Sequence, residues 1–166
     1  DALVIAVCDG LGHGPPAREA TALAVASFDH ATDTAPAALL LKCHAELGSS
    51  RGVVMGVARV SEGTRSFEAS VIGNVDIQIV RPRSARRLGG SSAVLGARRN
   101  PVVKPHTETA AMAPGDIMVL QTDGILSRAS IEEDLLLLRA HPVVIAQRIV
   151  ERFGRSNDDA LVLVTR

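Results

Sequence analysis

Two short apolar runs in this chain stop at the same dipeptide. Leu3-Val4-Ile5-Ala6-Val7-Cys8 runs into Asp9-Gly10, and Ile117-Met118-Val119-Leu120 runs through Gln121-Thr122 into Asp123-Gly124. A third run, Leu161-Val162-Leu163-Val164, mirrors them, with Asp158-Asp159 just before its start. Short apolar runs of this kind, bounded by turn residues, read as buried strands. The chain must therefore fold so that three buried strands each carry a carboxylate at one end.

The stretches between these runs fill in the architecture. Asp9-Gly10-Leu11-Gly12-His13-Gly14 followed by Pro15-Pro16 reads as a glycine-rich turn and a helix start. Ala20, Leu23, Ala24 and Phe28 then recur at helical spacing, and Leu40, Cys43 and Leu47 do so after Pro36. From Gly52 the pattern changes to Val53, Val54, Met55, Val57 and Val60, a strand buried on both faces. After Glu62-Gly63, Phe67, Ala69, Val71, Val75, Ile77 and Ile79 alternate with Glu68, Ser70, Asn74, Asp76 and Gln78, which predicts a ribbon turned or bulged at Gly73-Asn74. Arg81 to Arg99 reads as loop or short edge strand with a solvated basic face. Pro114-Gly115-Asp116 makes a turn, and Ala146, Ile149, Val150 and Phe153 mark a last helix that Gly154 ends. Strands come in blocks between helices, without regular β-α-β alternation. The expected fold is α+β with a mainly antiparallel sheet.

Composition excludes several function classes. The 166 residues suit one domain, 1–166, able to bury a core without disulfides. Eighteen basic and eighteen acidic residues balance, so no global field favours nucleic acid or an anionic membrane. Cys8 and Cys43 lie far apart in apolar runs, as reduced, buried thiols do. No apolar run is long enough to span a bilayer and no signal-like leader opens the chain, so a cytoplasmic protein is the expectation.

Asp9, Asp123 and Asp158 are the candidate site residues. Carboxylates at strand ends around a shared cleft suit hard divalent cations such as magnesium or manganese, and the Gly10 carbonyl can add an oxygen. Each Asp taken singly is also an ordinary turn or strand-start residue. Three in the same setting point to a site. A dinucleotide-binding loop is the rival reading of Gly10, Gly12 and Gly14, but the glycine spacing differs and a second helix, where that fold requires a parallel strand, follows the first.

The strings Asp9-Gly10-Leu11-Gly12-His13-Gly14, Gly73-Asn74-Val75, Pro114-Gly115-Asp116, Thr122-Asp123-Gly124 and Asp158-Asp159-Ala160-Leu161-Val162-Leu163-Val164 occur in an order that resembles the metal-dependent (PPM, type 2C) protein phosphatases. The likeness is to the bacterial sporulation and stress-response serine phosphatase branch, RsbX-like, and runs through nearly the whole chain. It implies an antiparallel β-sandwich flanked by helices in α-β-β-α layers, with two manganese or magnesium ions at one end. Asp9 would bridge the ions with the Gly10 carbonyl beside it, Asp123 and Asp158 would complete the first ion's shell, and Asp159 would stand next to them. Catalysis would then run through a metal-bound water held by Asp9, Asp123 and Asp158. The implied substrate is phosphoserine or phosphothreonine on a bacterial regulator, an anti-sigma antagonist of the STAS type or a stressosome protein.

The resemblance also marks departures. The upstream strand that carries a further acidic residue in the family is expected to be missing, and Asp1 lies too close to Asp9 to replace it. Leu11 stands where the larger eukaryotic branch has a histidine, and His13, offset by two, reads as a turn or capping residue. The phosphate-binding arginine of that eukaryotic branch is expected upstream of this chain, with Arg51 as its stand-in, and Asn74 reads as a turn former. His30, His44, His106 and His141 read as structural or exposed. The alternative function is a pseudophosphatase that binds phosphoproteins without turnover; retention of Asp9, Asp123 and Asp158 counts against it.

Overall fold

The computed structural model describes residues 2–48, 50–61, 63–97 and 102–166. Asp1, Glu62 of the Glu62-Gly63 turn, and Arg98 and Arg99 at the end of the basic stretch lie outside the described residues. The order of elements is β1 (Ala2–Gly10), α1 (Pro15–Asp29), α2 (Pro36–Glu46), β2 (Val53–Ser61), β3 (Ser66–Ile72), β4 (Asp76–Arg81), β5 (Ser84–Leu88), β6 (Thr107–Ala111), β7 (Ile117–Gln121), a short 3-10 turn at Leu137–Arg139, α3 (Pro142–Phe153) and β8 (Val162–Thr165). The strands form two four-stranded sheets, in the orders β1-β2-β3-β6 and β5-β4-β7-β8, with antiparallel neighbours throughout. Helices α1 and α2 cover the first sheet and α3 covers the second. This is the α+β, α-β-β-α arrangement expected from the sequence.

Strand periodicity explains why the layers hold. On β1, Ile5 and Val7 face the gap between the sheets, while Val4, Ala6 and Cys8 face α1 and α2. On β7, Met118 and Leu120 enter the same gap, while Ile117 and Val119 meet Ile145 and Ile149 on the α3 side. Strands covered on both faces need apolar residues at odd and even positions alike, which is why they read as unbroken apolar runs. Asp9 follows Ile5 and Val7 at the two-residue period, so its side chain leaves β1 on the inter-sheet side, at the end of the sandwich.

The expected single ribbon from Phe67 to Ile79 is corrected. Phe67, Ala69 and Val71 lie on β3 in the first sheet, whereas Ile77 and Ile79 lie on β4 in the second, after Val75 in the crossing. All six share the inter-sheet core. A chain that crosses between facing sheets keeps its inward residues inward, so alternation alone cannot distinguish a crossing from a hairpin. Gly73 makes the crossing at φ 95°, and a Cβ there would overlap the Val54 side chain. The expected polar face is corrected in part as well: Ser70 and Gln78 are buried. Ser70 meets Thr107 Oγ1 at 2.9 Å on β6, a strand the sequence pattern missed because Thr107–Ala111 carries little apolar character.

Two helix faces also differ from the periodic reading. Ala17, Ala20, Ala24 and Ser27 form the buried side of α1, and Leu23 is exposed. Small residues bring that helix close to the sheet. On α3, Ile145 and Ile149 face inward, and Val150 faces out. The basic stretch holds edge strand β5, whose Arg86 and Arg87 pair with Glu108 and Asp76 at 3.1 Å each. Both cysteines are free; Cys43 is buried, and burial pushes the Cys8 thiol up to about 11.

Phe67 is fully buried at the centre of the inter-sheet core. Phe67→Ala is expected to cost about 3–5 kcal/mol, read as a lower urea midpoint with an unchanged slope. The buried Asp116 carboxylate accepts from Arg81 Nε at 2.9 Å, Arg81 Nη2 at 2.6 Å and the Ala113 amide at 2.8 Å. Burial raises its pKa, but Arg81 and the amide outweigh burial and hold it below the usual carboxylate range. Its stabilising effect is therefore complete above the unfolded-chain value and lost as the pH falls through the lower folded value. Arg81→Ala is expected to cost about 1–3 kcal/mol at neutral pH, and its gap to the parent should close below pH of about 4 in pH-resolved denaturation.

Candidate active site

The first wall of the site is the turn from β1 into α1. Gly10 is a close-approach position: a Cβ there would overlap the Ala17 carbonyl and lie 2.7 Å from Thr21 Oγ1, so only glycine lets α1 pack across the strand end. The Leu11 amide donates to the Gly52 carbonyl at 3.0 Å, tying the turn to the start of β2. Gly12 and Gly14 take φ 81° and 78°, and Pro15 and Pro16 then open the helix. No side chain caps α1, so His13 does not have the capping role considered for it; it is exposed and lines the cleft.

The second wall joins the end of β7 to the lead-in of β8. The Thr122 amide donates to the Leu161 carbonyl at 3.1 Å, and the Leu161 amide donates to Thr122 Oγ1 at 3.0 Å. These two bonds bring Asp158-Asp159 beside Asp123-Gly124. Gly124 permits the contact, because a Cβ there would overlap the Asp159 carbonyl. Arg155 braces the same turn, donating through Nε to the Asp123 carbonyl at 2.9 Å and through its amide to the Gly124 carbonyl at 2.8 Å.

One residue of the site had been read only as a turn former. Asn74 Nδ2 donates to Asp123 Oδ2 at 2.5 Å, so the inter-sheet crossing at Gly73-Asn74 delivers an amide that orients the carboxylate. The sequence signal for it was the pair of turn residues between two buried strands, which states where the chain bends but not what the side chain meets.

Asp9, Asp123, Asp158 and Asp159 line one open cleft of about 1000 Å³ at the end of the sandwich, together with Gly10 and Asn74. The sequence-predicted site residues thus come together. Among the described residues that line this cleft none is a lysine or arginine, and Arg18 stands in the recess that adjoins it. Asp9 bears the consequence: burial first, then the charges of Asp123 and Asp158, push its carboxyl above the usual range, with only the Gly10 amide acting the other way among the main causes. Among the described residues, no three His, Cys, Asp or Glu side chains stand close enough together to grip an ion directly. The donor set lining the cleft is hard oxygen. It suits magnesium or manganese, which keep several waters in their shells and do not need an all-protein cage.

A family model for stage II sporulation protein E (SpoIIE) matches residues 1–166. The chain belongs to the SpoIIE family. By family and fold this is a PPM-type bacterial serine phosphatase domain, the enzyme class that the strand-end aspartates suggested. Among solved structures, one from work on the bacterial stressosome, described as a modular system adapted to control secondary messenger signaling, is 29% identical, with a TM-score of 0.87 over 99% of this chain and 85% of its own. RsbX in complex with magnesium is 23% identical, with a TM-score of 0.81 over 98% of this chain and 79% of its own. The SiaA-PP2C domain of Pseudomonas aeruginosa is 22% identical, with a TM-score of 0.77 over 98% of this chain and 75% of its own. These last two likenesses are of fold. No curated protein sequence matches the SpoIIE-family chain. Among the described residues, no helix is long and apolar enough to cross a membrane.

Asp9 gives the domain a pH signature. Its folded pKa is raised, so its ionisation in the metal-free protein costs stability as the pH rises from the unfolded-chain value through the folded one. Asp9→Asn is expected to raise the metal-free melting temperature at pH 7 and to leave it little changed at pH 3.5. Thermal melts in chelator at the two pH values check this; an Asp9→Asn protein that melts lower at pH 7 would contradict the repulsion.

Proposed function

We propose that this domain hydrolyses phosphoserine or phosphothreonine on a bacterial regulatory protein, with divalent manganese or magnesium held by Asp9, the Gly10 carbonyl, Asp123 and Asp158. The observation that carries the reading is the gathering of those carboxylates, with Asp159, in one cleft. When bound, the cations supply a water acidic enough to act as nucleophile at neutral pH and positive charge for the phosphoryl oxygens.

The chain's own groups do the rest. Asp9 leaves β1 toward the gap between the sheets and lines the cleft, where it would hold a cation. Asn74 fixes the Asp123 rotamer by donating to one oxygen, leaving the other free. Asp158 Oδ1 accepts from the Asp159 amide at 3.0 Å, which orients the carboxylate at the lip of the cleft. Burial of the strands behind these residues keeps the ends rigid, so the donors are placed by the sheets.

The stressosome-related structure at 29% identity favours a substrate from a stress-signalling assembly, and the STAS-type anti-sigma antagonist is the regulator we assign. A cytoplasmic site of action goes with that assignment.

Phosphate release from a phosphoserine peptide should require added manganese and fall to background in Asp9→Ala and Asp123→Ala. Asn74→Ala is expected to lose about ten- to a hundredfold, as for groups that orient a metal ligand. A protein that binds manganese yet releases no phosphate from any phosphoserine substrate would make it a pseudophosphatase.

A further inference from the structure

A second recess, of about 690 Å³, opens beside the carboxylate cleft. The two share Asp9, Gly10, Gly12, His13 and Asp159, so they form one surface bent over the glycine-rich loop. The outer wall of the recess is the start of α1, and Arg18 stands on it. Against the same loop lies Arg51: a Cβ built on Gly12 would be 3.1 Å from Arg51 Nη1 and 3.4 Å from its Cζ. Gly12, at φ 81°, gives the guanidinium room to rest on the loop.

Arg18 and Arg51 are both exposed, and neither makes a side-chain hydrogen bond or ion pair with a described residue. A guanidinium without a partner offers its planar set of donors to a carboxylate or phosphate brought by a ligand. The fields here have opposite sign within a short span: carboxylates inside the cleft, cations at its border. A ligand that is matched to both must carry its phosphoryl group into the cleft and further negative charge along the border.

We propose that Arg18 and Arg51 are the specificity-determining pair of this site, binding acidic side chains that flank the phosphorylated residue of the substrate. The proposal rests on the phosphatase reading of the cleft and adds its substrate class: phosphoserine or phosphothreonine in an acidic segment.

The test uses two peptides with the same central residue, one with aspartate and glutamate flanks and one with asparagine and glutamine in their place. Each is made as phosphoserine for turnover and as a non-hydrolysable phosphonate for binding by fluorescence anisotropy, with manganese present. The protein should bind the acidic phosphonate about tenfold more tightly than the neutral one, with Arg18→Ala and Arg51→Ala each removing about threefold of the preference. Arg18→Lys and Arg51→Lys should retain most of it, and the double Arg→Glu variant should reverse it. The preference should also shrink as salt rises from about 50 to 500 mM. Equal binding of the two peptides, or a preference unchanged in both alanine variants, overturns the proposal. Hydrolysis separates the two readings: turnover of both phosphopeptides without flank preference keeps the phosphatase and removes the arginine role, whereas arginine-dependent binding without turnover keeps the role and removes the phosphatase.

Discussion

Mutual repulsion among carboxylates is the constraint on which the rest of this domain is arranged. Burial, and then the charges of Asp123, Asp158 and Asp159, raise the pKa of Asp9, so these carboxylates repel it. What keeps them together is backbone. Asp9 is fixed by the pairing of β1 with β2 up to Gly10 and Val53, and the other three by the bonds between Thr122 and Leu161. The energy that holds the strand ends in place comes from the sandwich and its inter-sheet core of fully buried side chains such as Phe67, Ile77 and Leu120.

Two glycines convert that fold into a site. Gly10 lets α1 cross the end of β1, and Gly124 lets the Asp159 backbone lie against the end of β7. Neither position can hold a side chain without moving an element that carries an aspartate. The glycine of each Asp-Gly pair is thus explained by a close approach, of Gly10 to α1 and of Gly124 to the Asp159 backbone.

Much of this was legible in the sequence because its cause was local. Unbroken apolar runs announced strands covered on both faces, and the acidic residues at their ends are the ones that the fold gathers around one cleft. What could not be read depended on which strand lay opposite. Phe67 and Ile77 share a face in the pattern, but only the tertiary fold decides that they come from different sheets. Asn74 is 49 residues from the Asp123 it orients, so its role follows from the crossing and not from its neighbours. Strand β6 has almost no apolar signal of its own and exists because β3 needs a partner. Leu23 is exposed where periodicity put it inside, because α1 buries alanines to approach the sheet.

The arrangement also separates two tasks. On the proposed reading, carboxylates in the cleft would hold cations, and these would supply the positive charge that a phosphoryl group needs. The glycine-rich loop, tied to β2 by its bond to Gly52, stands between the cleft and the recess along α1. The central claim is that the strand-end carboxylates are there to hold divalent cations. Anomalous diffraction from crystals soaked in manganese tests it most directly. The account predicts strong peaks between Asp9, Asp123 and Asp158, lost in crystals of Asp9→Asn; an empty cleft with peaks elsewhere, or peaks that survive the substitution, would contradict it.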